Sequence, residues 1–203
     1  VMEGRAGDAV EARQDRLVSL SKLGQTAQAR GDHGTALAVY SEVRDLAQAL
    51  VAADPENAVM QRWLAVAQFY VGDAAGALGD MAAARAAYAA GTRLIEPLVR
   101  RAPDNVEWTR DLISAHMRLG NLALETGDAP GAIRAARNEV VLAEALLARD
   151  PDNALYLGDR AYGLIRLGTA LAASGDASAA ADVQRHVLDD IAALRKATGD
   201  APR

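Results

Sequence analysis

Asp54-Pro55-Glu56-Asn57, Ala102-Pro103-Asp104-Asn105 and Asp150-Pro151-Asp152-Asn153 recur at an interval of 48 residues, and this repetition decides the reading of the chain. Gly31-Asp32, Gly79-Asp80, Gly127-Asp128 and Gly175-Asp176 keep the same period. So do Gly24, Gly72, Gly120 and Gly168, each preceded by Leu or Val. The columns Ala36, Ala84, Ala132, Ala180 and Leu50, Leu98, Leu146, Leu194 are unbroken. Self-similarity at a fixed period of this size is the signature of a repeat architecture.

Each unit reads as two helices. Leu20, Leu23, Gly24 and Ala27 recur at helical spacing, and the Gly-Asp pair closes that first helix. Glycine adopts the left-handed conformation that ends a helix, and Asp caps the start of the next one. The second helix runs through the Ala36 and Leu50 columns to the proline turn, where proline stops it and Asn57, Asn105 and Asn153 cap the next helix. The pattern predicts helices over 9–30, 33–53, 57–78, 81–101, 105–126, 129–149, 153–174 and 177–197. The Gly24 and Ala36 columns lack bulk, which lets each hairpin close tightly. A lone hairpin cannot bury its apolar faces, so stacking must supply the core. Residues 1–8 are expected to flank one array over 9–200, with repeats at about 9–56, 57–104, 105–152 and 153–200.

Composition agrees. About a quarter of the chain is alanine, only 4% is aromatic and 51% is hydrophobic, a balance that favours helices over sheets. The net charge of −5 offers no basic stripe for nucleic acid. There is no cysteine, which excludes disulfides and cysteine metal sites and fits a cytoplasmic setting. No apolar run reaches the ~18 residues of a membrane span. Lys22 and Lys196 are the only lysines among 22 basic residues, an arginine bias that suggests a GC-rich bacterial genome. The chain starts at Val1 and reads as a piece of something longer.

Leu23-Gly24, Gly31-Asp32, Ala36, Tyr40 and Pro55, with Tyr88 repeating the aromatic, resemble the tetratricopeptide (TPR) repeat in order and kind. The family's period is 34; here two insertions of seven residues, each about two helical turns, lengthen both helices without rotating their apolar faces. The resemblance covers about residues 9–200. It implies an all-α, right-handed superhelical solenoid of four antiparallel hairpins. Long-helix repeats with a start like Trp108-Thr109-Arg110-Asp111-Leu112 are similar to TPR arrays of bacterial multidomain proteins. The copies also degrade. Ala136 and Gln184 replace the aromatic, Pro97 falls inside a second helix and predicts a kink or early end near residues 93–97, and the last copy ends Thr198-Gly199-Asp200 without proline. Val183, Val187, Ile191 and Leu194 of the last helix either face their own hairpin or await a further repeat, a partner or a second copy.

In the family, first helices line the concave face. By position this implies an inner surface of Val18, Ser21, Gln25 and Gln28, then Val66, Phe69, Asp73 and Gly76, then Ser114, Met117, Asn121 and Leu124, then Tyr162, Ile165, Thr169 and Ala172. These columns vary between copies where the packing columns do not, as a binding surface on a repeated frame would. The candidate binding residues are Gln25, Arg62, Phe69, Asp73, Arg110, Met117, Asn121, Ile165 and Thr169. Phe69, Met117 and Ile165 share one column, which reads equally as core. Arg62 and Arg110 either meet an acidic partner, or lie on a solvated face or pair with a neighbouring acid.

A catalytic reading finds no support: there is no HExxH, phosphate loop or serine elbow. His33, His116 and His186 have no histidine at metal-binding spacing, although Asp189 and Asp190 follow His186. No cofactor or metal is expected. The expected function is non-catalytic binding of a partner's peptide or helix in the concave groove, with a structural spacer or self-associating arm of a larger bacterial effector or regulatory protein as the alternative.

Overall fold

The computed structural model describes residues 2–198, with side chains from residue 12 onward. These residues form α1 (Met2–Ala29), α2 (His33–Ala53), α3 (Ala58–Ala77), α4 (Met81–Arg101), α5 (Val106–Glu125), α6 (Ala129–Leu147), α7 (Ala154–Ala173) and α8 (Ala177–Thr198). No strand occurs among the described residues, so the chain is an all-α helical repeat.

The turns are set by local chemistry. Gly31, Gly79, Gly127 and Gly175 have φ of 75°, 86°, 74° and 88°, the left-handed region that side chains resist. The Asp after each glycine accepts from the backbone N–H three residues on, as Asp32 does from Thr35 at 3.0 Å and Asp128 from Gly131 at 2.9 Å. Asn57, Asn105 and Asn153 cap α3, α5 and α7 in the same way, accepting from Met60, Trp108 and Tyr156. A cap of this kind contributes about 1 kcal/mol.

The chain falls into two compact units, Val1–Ala102 and Pro103–Arg203. In the first, α1 to α4 pack around Leu17, Val43, Leu50 and Leu64 at one level and Ala27, Ala36 and Tyr40 at another. The small glycine column is a seat for rings: a Cβ on Gly24 would clash with the Tyr40 ring, and one on Gly72 with the Tyr88 ring. Each phenol finishes its seat with a hydrogen bond, Tyr40 donating to Gln28 Oε1 and Tyr88 to Asp73 Oδ1, both at 2.9 Å. Tyr40 also stacks on Tyr70, with centroids 4.9 Å apart.

The second unit fills the same frame differently. Ala136 stands where Tyr40 and Tyr88 stand, and Arg166 of α7 runs through the space left beside Gly120 to pair with Glu139 of α6. Arg160 of α7 pairs likewise with Asp190 of α8. Glu139 and Asp190 are each only 1% exposed. Their columns elsewhere hold Val43, Gly91 and Val187, and Leu46, Leu94 and Leu142. For Arg160–Asp190, a contact filled by leucines in the middle copies has been exchanged for a buried ion pair, while the Arg166 column already holds Lys22, Tyr70 and Arg118 and only its partner has become charged.

Two sequence expectations change and one open alternative is decided. The helix expected from residue 9 begins at Met2, so residues 2–8 belong to α1, because no proline stops the helix there. α4 does not end near Pro97 but continues to Arg101. The single carbonyl deprived of its donor by Pro97 belongs to exposed Arg93, where water can serve it. In α8, Val187 is buried and Val183 packs against Leu164, Leu167 and Leu171, so this face turns onto its own hairpin, while Ile191 lies at its edge, 37% exposed. Gly199 and Asp200, at the expected end of the array, lie outside the described residues.

Candidate functional site

Each unit carries open clefts lined mainly by its two first helices. In the first unit, Ser21 and Gln25 of α1 face Arg62, Trp63, Val66 and Tyr70 of α3 across a cleft of about 200 Å³. A neighbouring cleft of about 320 Å³ lies between Gln14, Leu17 and Val18 of α1 and Val59 and Trp63 of α3. Trp63 lines both. The larger cleft mixes polar Gln14 and Asp15 with apolar Leu17 and Val18 on α1 and is apolar on α3. The smaller is polar on α1 and sets Arg62 among apolar and aromatic side chains on α3.

In the second unit, a cleft of about 300 Å³ lies between Ser114 and Met117 of α5 and Asp159 and Tyr162 of α7, with Glu139 of α6 behind. Two ion pairs line it. Arg110 Nε donates to Asp159 Oδ2 at 2.9 Å, with Nη2 at 3.4 Å from Oδ1. Arg166 Nε donates to Glu139 Oε2 at 2.9 Å, and Nη2 to Oε1. The hydrogen bond to Asp159 holds the Arg110 guanidinium above its ordinary pKa. Burial pushes the Glu139 carboxyl up, and the Arg166 guanidinium opposes that push. Tyr162 stands at the rim, 64% exposed.

The structure brings Gln25 and Arg62 together in one cleft and Arg110 and Met117 in another. It places Phe69 elsewhere: at 3% exposure, its ring fills the notch above Gly91 in α4, where a Cβ has no room. Asp73 is held by the Tyr88 hydroxyl. Asn121, Ile165 and Thr169 line none of these three clefts, and the Thr169 hydroxyl donates to the Ile165 carbonyl at 2.9 Å. The column of Phe69, Met117 and Ile165 therefore has three outcomes, being buried, half-buried and 46% exposed in turn.

Sequence reasoning missed Trp63, Tyr70, Asp159 and Glu139. Glu139 carried a signal, as the one charged residue in a column of valine and glycine, and such a residue demands a partner. Trp63 carried none, since its column holds Asp15, Asp111 and Asp159. The described residues contain no group of three or more His, Asp or Glu side chains placed to hold a metal. None of the described helices is long and apolar enough to cross a membrane.

No protein-family model and no curated protein matches the chain. Solved structures do. BtubC (BKLC) from P. vanneervenii matches with a TM-score of 0.65 at 17% identity, over 92% of this chain and 66% of that one. This chain thus spans a little under two thirds of that protein's length. A protein of nearly identical TPR-like repeats from Podosopora anserina, assigned to the kinesin light chains, matches over 87% of this chain and 95% of its own, at 14% identity and a TM-score of 0.47. At 17% identity the likeness to BtubC is one of fold. The fold is a TPR-like helical repeat.

Proposed function

We propose that this TPR-like chain is a non-catalytic protein-interaction module that holds a peptide or helix of a partner protein in the clefts between successive first helices. One observation carries the reading. In each unit the clefts lie on the columns that differ between copies, while the Gly-Asp turns and the Ala36 and Leu50 columns repeat without change. A frame kept constant and a lining allowed to vary is the division of labour expected where specificity sits on the lining. The cleft walls supply Trp63, Tyr70, Tyr162, Arg62 and Arg110, the aromatic and arginine types that dominate binding energy at interfaces.

The test is a pull-down with paired variants. Trp63→Ala in the first unit and Met117→Ala in the second should each reduce retention of a bound protein at least tenfold, with helicity unchanged. Retention unaffected by both variants would remove the clefts from consideration.

A second reading, a self-associating arm, draws on the exposed Leu188 and Ile191 of α8. It predicts a mass that rises with concentration in light scattering and returns to that of a monomer in Leu188→Glu. A constant monomer mass contradicts it.

A further inference from the structure

We propose that the α5–α7 cleft takes an uncharged, extended peptide segment bearing one large apolar or aromatic side chain, with the peptide's backbone carbonyls accepting from Arg110 and Arg166. The proposal rests on the reading of the clefts as partner-binding surfaces and names the chemistry of the segment bound.

Charge balance disfavours a charged segment. The cleft holds two guanidinium groups and two carboxylates, each cation paired with an anion, so its lining is neutral. An acidic segment that approached the arginines would also meet Asp159 and be repelled by the Glu139 carboxylate buried behind Arg166. A basic one would meet the arginines. Glu139 is 1% exposed and held against Gly163 and Arg166 of α7, so its charge stays beside the arginines and no net positive site is left. A neutral segment meets neither penalty.

Donors, by contrast, are in surplus. A guanidinium has five N–H groups in a rigid fork. Each arginine spends Nε and Nη2 on its carboxylate, and among the described residues neither makes another hydrogen bond. Each fork therefore keeps N–H groups beyond the two spent on its carboxylate, while Glu139, 1% exposed, offers the cleft no open acceptor. A site that is uncharged yet rich in donors suits neutral acceptors, and the peptide carbonyl is the neutral acceptor every segment carries. Both forks are held in place by their own carboxylates before any ligand arrives, which lowers the ordering cost of binding.

Shape limits the occupant further. Ile113, Met117 and Tyr162 add apolar wall, and a volume of about 300 Å³ is small, at the lower end of ligand sites. It suits one large side chain with the backbone on either side.

The experiment uses the whole chain and an array of immobilised decapeptides of three kinds: net acidic, net basic, and neutral, each with a central Trp, Leu or Ala. The neutral Trp and Leu peptides should bind at least tenfold more tightly than charged peptides with the same centre, and more tightly than neutral Ala peptides. Joint replacement Arg110→Leu with Asp159→Leu keeps neutrality and removes donors, and should weaken that binding about tenfold. Tyr162→Ala, a change at an exposed site, should weaken it with the melting curve unchanged. If acidic or basic peptides bind best and Tyr162→Ala weakens them, the cleft reading stands and the proposed ligand chemistry is overturned. If no peptide class binds in a manner sensitive to Tyr162→Ala or to the Leu pair, both are overturned.

Discussion

The Tyr40 ring occupies the space that a Cβ on Gly24 would take, and its hydroxyl donates to Gln28 on the same helix as that glycine. Tyr88 repeats the arrangement over Gly72, with Asp73 as acceptor. Burial, then the neighbouring Tyr70 and Asp73, push the Tyr40 phenol up to about 12, so it stays a donor throughout the working pH range.

Replacing these glycines separates two roles of one column. Gly24→Ala or Gly72→Ala should cost about 1–3 kcal/mol, because the ring must leave its seat. Gly168→Ala should be neutral or stabilise by up to about 1 kcal/mol, since its nearest neighbours would stand 3.8 and 3.9 Å from the new methyl and a helical alanine loses less backbone entropy. Urea unfolding monitored by circular dichroism reads both signs.

The Arg160–Asp190 pair should behave as a matched replacement for an apolar contact. Arg160→Leu alone leaves the Asp190 carboxylate buried and unpaired, at a cost of about 3–5 kcal/mol. Arg160→Leu with Asp190→Leu restores the residue types of Leu64 and Leu94 two repeats earlier, and should be as stable as the parent or more so. The double-mutant cycle therefore shows strong coupling. A lone Arg160→Leu that melts like the parent would mean that water reaches Asp190.

His116 makes stability depend on pH. Burial holds its imidazole below the ordinary value of 6.5, so the folded chain prefers the neutral ring. Its contribution is fully present above 6.5 and is lost as pH falls below that value toward the lowered folded pKa, because the unfolded chain then takes up the proton first. His116→Leu, the residue that Leu164 supplies in the next copy, should flatten the dependence of the unfolding free energy on pH as pH falls through and below 6.5. An unchanged slope would assign it to other groups.

Much of the fold was legible because its signals are local. A left-handed glycine, an Asp or Asn cap and a proline act over three or four residues, and the interior helix boundaries fall within two residues of the sequence expectation. The site was less legible because its contacts are not local. Phe69 is buried by the absence of a side chain at Gly91, on a different helix. Arg110 finds Asp159 across 49 residues, and Arg166 finds Glu139 across 27. Periodicity marks which columns vary, but not which member of a column sinks into the core.

The column of Phe69 makes that difference measurable. Phe69→Ala should cost about 3–5 kcal/mol by leaving a cavity above Gly91. Ile165→Ala, at a position 46% exposed, should stay within about 1 kcal/mol of the parent. Equal losses at both sites, read by urea unfolding, would contradict the different burial of the two side chains.

If partners are held in the clefts between first helices, contact with them is confined to cleft positions. A photo-crosslinking side chain placed at Tyr162 in the cleft, and in a parallel protein at Val141, 62% exposed on α6, tests this most directly. The prediction is that a partner protein is captured from position 162, competed away by unmodified chain, and not captured from position 141. Equal capture from both positions, or capture from 141 alone, would contradict it.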